Sequence, residues 1–274
     1  MYLDFYGLKE NPFNVTSDPS FLYLSNTHRE ALDHLLYGIN QKKGFVEITG
    51  EIGAGKTTLC RALLTRLDYS VKTSFIFNSS LPETQLLEAV LHDFGIIPER
   101  RRKVLFIRLL NDFLLDQLSQ NNNVVLIIDE AQNLRSSTLE TIRMLSNLET
   151  EKEKLLQIIL VGQPQLREKL NSPQLLQLRQ RIGVRFHIRA LNKNEILEYI
   201  RHRLNVAKPR EQIVFENDAI DSIYDYSAGI PRVINIICDK SLLLGFATGT
   251  RIIGQEIVKK SIEETEGQFS LVTV

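Results

Sequence analysis

Cysteine is scarce in this sequence, and no charge, apolar run or leader segment dominates it. Only Cys60 and Cys238 occur, both in apolar, helix-like surroundings. That excludes a disulfide framework and reads as two buried thiols in a reducing compartment. Lys plus Arg and Asp plus Glu both total 33, so the net charge is zero. A basic nucleic-acid coat and a polyacidic tail are excluded; a local basic patch is not. No stretch reaches the roughly 18 consecutive apolar residues of a membrane span. Residues 1–5 lack the basic region and apolar core of a secretory signal, so the expected location is the cytoplasm. What remains is ordinary: 43% hydrophobic and 24% charged residues over 274 positions. That suffices to bury a full core as one large or two smaller domains, and disorder or a metal-stapled mini-fold is not required.

Short apolar runs at 45–49, 73–77, 124–128, 156–161 and 184–188 are each bounded by turn or polar residues. The run at 124–128 is continuously apolar, as a parallel strand covered on both faces requires. Helix-like patterns separate them at 56–67, 83–94, 104–120 and 138–148. Alternating strands and helices predict an α/β class fold with a five-stranded parallel sheet. After about residue 190 the strand signal stops, and 192–204, 217–226, 231–247 and 254–264 read as four helices. Asn192 and Asn217 suit N-caps, and Gly229 with Pro231 punctuates one junction. The expected organisation is an N-terminal segment 1–43, an α/β core 44–190, a small all-helical domain 191–266 and a tail 267–274.

Gly50-Glu51-Ile52-Gly53-Ala54-Gly55-Lys56-Thr57 fits G-x-x-x-x-G-K-T, placed after a strand and before a helix. Glycines let the backbone wrap a phosphate chain so that N–H groups and the helix N-terminus face the anion. Gly50, Gly53, Ala54, Gly55, Lys56, Thr57 and Thr58 are therefore candidate nucleotide-binding residues. Lys56 would reach the β- and γ-phosphates, and the Thr57 hydroxyl would ligate Mg²⁺. The run Val124-Val125-Leu126-Ile127-Ile128-Asp129-Glu130 delivers two carboxylates at the strand edge where that loop begins. Asp129 is expected to hold Mg²⁺ and Glu130 to polarise the attacking water. Taken alone, such a pair could be a helix cap. Gln163, at the end of the fourth run, could hold the lytic water or sense the phosphate; the plain alternative is a loop glutamine before Pro164.

Leu178-Arg179-Gln180-Arg181-Ile182-Gly183-Val184-Arg185 brings three arginines to the end of one sheet. Either they form a surface basic cluster, or one of them, Arg181 first and Arg179 second, is donated in trans to a neighbour's ATP. Arg232 follows Pro231 at the start of a helix, where its charge opposes the helix dipole. A nearby ATP phosphate would explain that placement; a salt bridge to a core carboxylate is the alternative.

In this order the motifs resemble the AAA+ P-loop NTPases, with Walker A, Walker B, sensor 1, arginine finger and a sensor-2 arginine on a helical lid. The similarity is closer to the ExeA-type ATPases, the general secretion pathway protein A family. Its carriers are Tyr6-Gly7-Leu8-Lys9-Glu10-Asn11-Pro12-Phe13, Thr49-Gly50-Glu51 into the Walker A, Asp129-Glu130-Ala131-Gln132, Leu145-Ser146-Asn147-Leu148-Glu149-Thr150, Val161-Gly162-Gln163-Pro164, Leu178-Arg179-Gln180-Arg181-Ile182 and Gly229-Ile230-Pro231-Arg232-Val233-Ile234-Asn235. The resemblance implies an ATP hydrolase using ATP and Mg²⁺. It implies a homo-oligomeric ring, with a hexamer expected, serving type II secretion or type IV pilus-like envelope machinery. It places the protein in the cytoplasm, peripheral to the inner membrane, and sets Asn11-Pro12-Phe13 and residues 25–28 beside the adenine. His28 reads as a capping or packing residue and is left outside the site. Family members typically continue into a membrane span and a peptidoglycan-binding domain. Neither follows within these 274 residues, so a cytoplasmic portion or a stand-alone relative is expected.

Asp129-Glu130-Ala131-Gln132 also resembles a helicase box, but about 85 residues follow the last apolar run, too few for a second RecA-like domain. A DNA-binding AAA+ regulator or transposition helper remains the alternative function. Its local support is the basic run Arg100-Arg101-Arg102-Lys103 with Arg108, which could track a phosphate backbone. DNA is the less favoured partner, because zero net charge argues against a coat. A scaffold that binds ATP and barely hydrolyses it is disfavoured by the intact Glu130.

Overall fold

A computed structural model describes residues 2–77, 80–151 and 153–270. In chain order the elements are α1 (Tyr2–Tyr6), α2 (Asn26–Asn40), β1 (Phe45–Gly50), α3 (Lys56–Leu64), β2 (Val71–Ile76), α4 (Glu83–Asp93) and α5 (Lys103–Ser119). There follow β3 (Asn123–Ile128), α6 (Ser136–Leu145), β4 (Gln157–Gly162), α7 (Pro164–Leu170), α8 (Leu176–Arg181) and β5 (Ile182–Ile188). The chain ends in α9 (Lys193–Val206), β6 (Val214–Phe215), α10 (Asn217–Ser227), α11 (Pro231–Ala247), β7 (Ile252–Ile253) and α12 (Gln255–Ser270).

The chain divides into two compact units. One comprises Arg29–Gly50 and Leu59–Ile188; the other comprises the described residues of Met1–His28, Glu51–Thr58 and Arg189–Val274. The first unit holds a five-stranded parallel sheet in the order β2-β3-β4-β1-β5. Each central strand needs helices on both faces, and the sequence supplies apolar faces for them. Leu86 and Val90 of α4, Phe106, Leu110 and Leu114 of α5, and Ile142 and Leu145 of α6 pack with Leu126, Ile128, Ile158 and Leu160 of the sheet. β3 is buried along nearly its whole length, as its unbroken apolar run requires. β2 lies at the edge, where burial is only partial. In the register, Thr49 stands opposite Gly162 and Ile128 opposite Leu160. The residues that follow β3 and β4 therefore emerge at the sheet edge where β1 ends.

The second unit is mainly helical. Its core gathers Tyr6, Phe13 and Phe21 with Ile196, Tyr199, Ile200, Ile234, Ile237, Leu242 and Val258. Arg203 ties the N-terminal residues to α9: it is 6% exposed, and it donates to the carbonyls of Pro12 and Asn14 and to the Tyr199 hydroxyl. Its guanidinium also lies 4.9 Å from the Phe21 ring centre. A buried cation is tolerated here because each of its three nitrogens donates a hydrogen bond. Tyr2 and Asn11 both donate to the Asp239 carboxylate, at 2.6 and 2.9 Å.

Two expectations need correction. The strand signal does not stop at residue 190, because β6 and β7 pair in parallel; two residues each is too short for a periodic pattern. Asn217 is the first residue of α10 rather than its cap; Glu216 stands at the cap position and makes no side-chain cap bond. Asn192 does cap α9, in a reciprocal capping box with Glu195. Pro231 occupies the first turn of α11. Cys60 and Cys238 are both buried, and burial pushes the Cys238 thiol pKa up. The C-terminal helix runs past the expected boundary to Ser270, and residues 271–274 lie outside the described residues. Among the described residues no helix is long and apolar enough to cross a membrane.

Candidate functional site

In the second unit, residues 51–58 form a tight loop that runs into α3. Gly53 and Gly55 adopt φ of +81° and +87°, which L side chains resist. Both positions are also crowded. A Cβ at Gly53 would lie 2.5 Å from Arg232 Cβ, and one at Gly55 would lie 3.1 Å from His28 Nε2. One loop carbonyl is held within the loop, and two are held from outside it. Glu51 O accepts from Ala54 N–H at 3.1 Å and from Lys56 Nζ at 2.9 Å. Gly53 O accepts from the Arg232 N–H at 3.2 Å, and Ala54 O from His28 Nε2 at 2.8 Å. With these carbonyls engaged, the loop and the first turn of α3 have the form of an anion cradle.

Arg232 begins α11 through the Gly229-Ile230-Pro231 turn, where Gly229 has φ +77°. Its backbone holds the loop and its side chain is exposed. Gly53, Ala54, Gly55, Lys56, Thr57, Thr58 and Arg232 thus belong to one compact unit. His28 belongs with them too, although the sequence reading set it aside. It is 3% exposed, and burial lowers its pKa.

Gly50, Asp129, Glu130, Gln163, Arg179 and Arg181 belong to the sheet-bearing unit. Asp129 is buried, and its Oδ1 accepts the Glu130 N–H at 2.8 Å. Glu130 has φ +51°, a left-handed conformation that is strained for a non-glycine residue. Its Oε2 accepts from Gln132 Nε2 at 2.5 Å and from Gln163 Nε2 at 3.2 Å. Gln132 Oε1 in turn accepts the Gln163 N–H at 3.1 Å. One glutamine amide therefore bridges the end of β4 to the glutamate after β3. Gly162 makes this possible, since a Cβ there would lie 2.6 Å from Gln132 Oε1. Gln163 stands at the cap position of α7 but caps nothing; its amide is turned to Glu130 instead. Gln132 was missed from the sequence although it sits inside the quoted Asp129-Glu130-Ala131-Gln132 phrase.

The arginines separate into different environments. Arg185 lies opposite Glu47 in the β1–β5 register, and its Nε is 3.4 Å from Glu47 Oε2. Arg167 Nε approaches Glu47 Oε1 at 3.5 Å, and the Glu47 side chain is 1% exposed. The anion that Arg185 requires is thus a carboxylate inside the same sheet. Arg181 Nη1 donates to Ser146 Oγ at 3.0 Å, whereas Arg179 is exposed. In the basic run, Lys103 Nζ meets Glu83 and Thr141 at 2.7 and 2.9 Å, and Arg101 Nε meets Glu88 at 2.8 Å. Those two cations are engaged by carboxylates of α4.

A family model described as an AAA domain matches residues 39–170. The chain is 42% identical to general secretion pathway protein A of Aeromonas hydrophila over 97% of its own length, and it spans about half (49%) of that relative. Among solved structures, the Aeropyrum pernix ORC2 protein in its ADPNP–ADP complexes has a TM-score of 0.68 at 19% identity, covering 93% of this chain and 72% of that one. Drosophila ORC bound to DNA has a TM-score of 0.70 at 17% identity, covering 93% and 64%. The Thermotoga maritima RuvB Holliday junction branch migration motor has a TM-score of 0.58 at 18% identity, covering 87% and 68%. At these identities the structural likeness is one of fold.

Proposed function

This chain is an AAA-type protein related to general secretion pathway protein A, and from that premise we propose that it hydrolyses ATP to ADP and phosphate to remodel its own oligomer and a partner of the envelope machinery. The observation that carries the reading is the loop 51–58, with two glycines at positive φ and its Gly53 and Ala54 carbonyls engaged from outside, running into α3. Lys56 and Arg232 would add positive charge where phosphate charge develops. Mg²⁺ would draw charge from the phosphoryl oxygens; the Thr57 hydroxyl and Asp129 carboxylate are the hard oxygen donors that suit it. Glu130, steadied by Gln132 and Gln163, would orient the water and accept its proton. Arg179 and Arg181 are the candidates for an arginine given in trans to a neighbouring copy, with Arg181 preferred from its place in the motif and Arg179 the more exposed.

In this reading 44–190 is the ATPase core, and the helices from residue 191 form a helical lid. The assembly is a ring, with a hexamer expected, at the cytoplasmic side of the inner membrane. The relationship to general secretion pathway protein A supports a secretion or pilus-like client. The engagement of Lys103 and Arg101 by Glu83 and Glu88 weighs against the DNA-tracking alternative.

The test is ATP turnover across a protein concentration series, with and without duplex DNA, for the parent chain and the Lys56→Ala, Glu130→Gln and Arg181→Ala variants. The expected result is Mg²⁺-dependent turnover that rises more than linearly with concentration and is indifferent to DNA. Glu130→Gln should bind ATP without turning it over, and Lys56→Ala should not bind. Full turnover by Glu130→Gln would refute the assigned chemistry. Strong stimulation by DNA would replace the envelope reading, and normal turnover by Arg181→Ala at every concentration would remove that arginine from the in-trans role.

A further inference from the structure

His28 lies 26 residues before Ala54 in the chain, yet its imidazole is built into the phosphate loop. A carbonyl oxygen only accepts, so the 2.8 Å contact between His28 Nε2 and Ala54 O places a proton on Nε2. The other ring nitrogen, Nδ1, lies 2.6 Å from Ser25 Oγ, and with Nε2 protonated the neutral ring accepts the Ser25 hydroxyl proton there. Ser25 Oγ also accepts the His28 N–H at 3.3 Å, which fastens the side chain to the start of α2. The ring is thereby held in one tautomer and one orientation. Burial lowers its pKa and keeps it neutral near pH 7; the carboxylate of Glu195, which accepts the Asn26 N–H at 3.1 Å, acts in the opposite sense.

The consequence lies in the next peptide unit. A trans peptide is planar, so its C=O and its N–H point in opposite directions. Holding the Ala54 carbonyl on His28 therefore turns the Gly55 N–H away from the histidine. We propose that His28 is a positioning residue of the phosphate loop, which aims the Gly55 N–H at the nucleotide phosphate by anchoring the Ala54 carbonyl. Gly55 suits this arrangement for a reason beyond its φ of +87°: a Cβ there would stand 3.1 Å from His28 Nε2, and the ring would have to give by a few tenths of an ångström. The neighbouring carbonyl, Gly53 O, is anchored by the Arg232 N–H, so two successive peptides of the loop are set by residues remote in sequence. The inference rests on the reading that this loop binds nucleotide phosphate.

The test measures the affinity of a fluorescent ADP analogue and the ATP turnover constants for the parent chain and for His28→Gln, His28→Asn and Lys56→Ala. Glutamine places an amide N–H where Nε2 sits; asparagine reaches only the Nδ1 position. His28→Asn should weaken nucleotide binding about tenfold, roughly the worth of one buried hydrogen bond. It should raise KM by a similar factor and leave kcat within about twofold, because the contact serves ground and transition states alike. His28→Gln should recover affinity to within about threefold. Should His28→Asn not fold, Ser25→Ala keeps the ring but removes the hydroxyl that donates to Nδ1 and steadies its orientation, and about threefold weaker binding is expected. Unchanged affinity in His28→Asn, or in Ser25→Ala where that variant stands in, overturns the proposal; so does equal loss in His28→Asn and His28→Gln. Equal binding by the parent chain and Lys56→Ala would instead overturn the loop assignment itself, whatever the histidine variants do.

Discussion

Gly229→Ala is the most informative single change to the unit that carries the loop 51–58, because its cost can be divided. Gly229 has φ +77°, and a Cβ there would stand 2.0 Å from Leu191 O. Its own carbonyl accepts the Leu191 N–H at 2.9 Å. Forcing alanine into the left-handed region costs about 1 kcal/mol. Displacing the backbone to relieve the contact costs about 1–3 kcal/mol, and losing the Leu191 bond costs about 1 kcal/mol more. The total is about 3–5 kcal/mol, or on the order of 10 °C in melting temperature for a chain of this size. Gly249 is the control: its φ is +72°, but a Cβ there meets nothing within 4 Å. Gly249→Ala should therefore cost about 1 kcal/mol, the conformational part alone. Urea unfolding followed by circular dichroism separates the two. Equal losses in both variants would refute the assignment of the larger part to the Leu191 contact. Because Gly229 leads into Arg232, whose N–H holds Gly53 O, Gly229→Ala should also weaken nucleotide binding while Gly249→Ala should not.

Glu47→Gln should cost about 2 kcal/mol, since it leaves Arg167 and Arg185 without their shared carboxylate; both arginines are partly exposed and rehydrate, which keeps the loss below that of a fully buried pair. Arg167→Ala should cost less than half as much because Arg185 still serves Glu47, and equal urea midpoints for the two variants would contradict this arrangement. Gln132→Leu removes the amide that donates to Glu130 and accepts from the Gln163 N–H; kcat should fall at least about tenfold with nucleotide affinity unchanged, and single-turnover rates equal to the parent's would show that Gln132 does not position Glu130. Burial lowers the folded-state pKa of His28 below its ordinary 6.5, so the unfolded chain takes up that proton more readily. Stability from this group is complete above about pH 6.5 and is lost as pH falls toward the folded value; between pH 7.5 and pH 5 the parent should lose more stability than His28→Gln, and parallel losses would refute the linkage.

Much of the molecule could be read from local sequence. The apolar run at 124–128 became β3 because a strand covered on both faces has no place for polar residues. The helix expected at 231–247 is α11 with those bounds, since Pro231 sets its start. The glycine motif sits between β1 and α3 because its turn geometry is a property of consecutive residues. Residues whose partners are distant were not readable. Glu47 looks like a polar interruption of a strand until β5 is placed beside β1 and sets Arg185 opposite it. That same pairing removes one of the three arginines from the search for an external anion.

Sequence alone determined the alternation of strands and helices, the anion-cradling loop and the carboxylates after β3, because backbone propensity and short motifs act over a few residues. Tertiary structure decided which groups hold those residues in place. It brought Gln132 between Glu130 and Gln163 across the room left by Gly162. It set His28 and Arg232 on successive carbonyls of the loop 51–58, and it paired the two short strands β6 and β7. The physical reason is common to all of them. A hydrogen bond or ion pair forms between whichever groups packing brings within reach, and packing is settled only when the remote elements are in register.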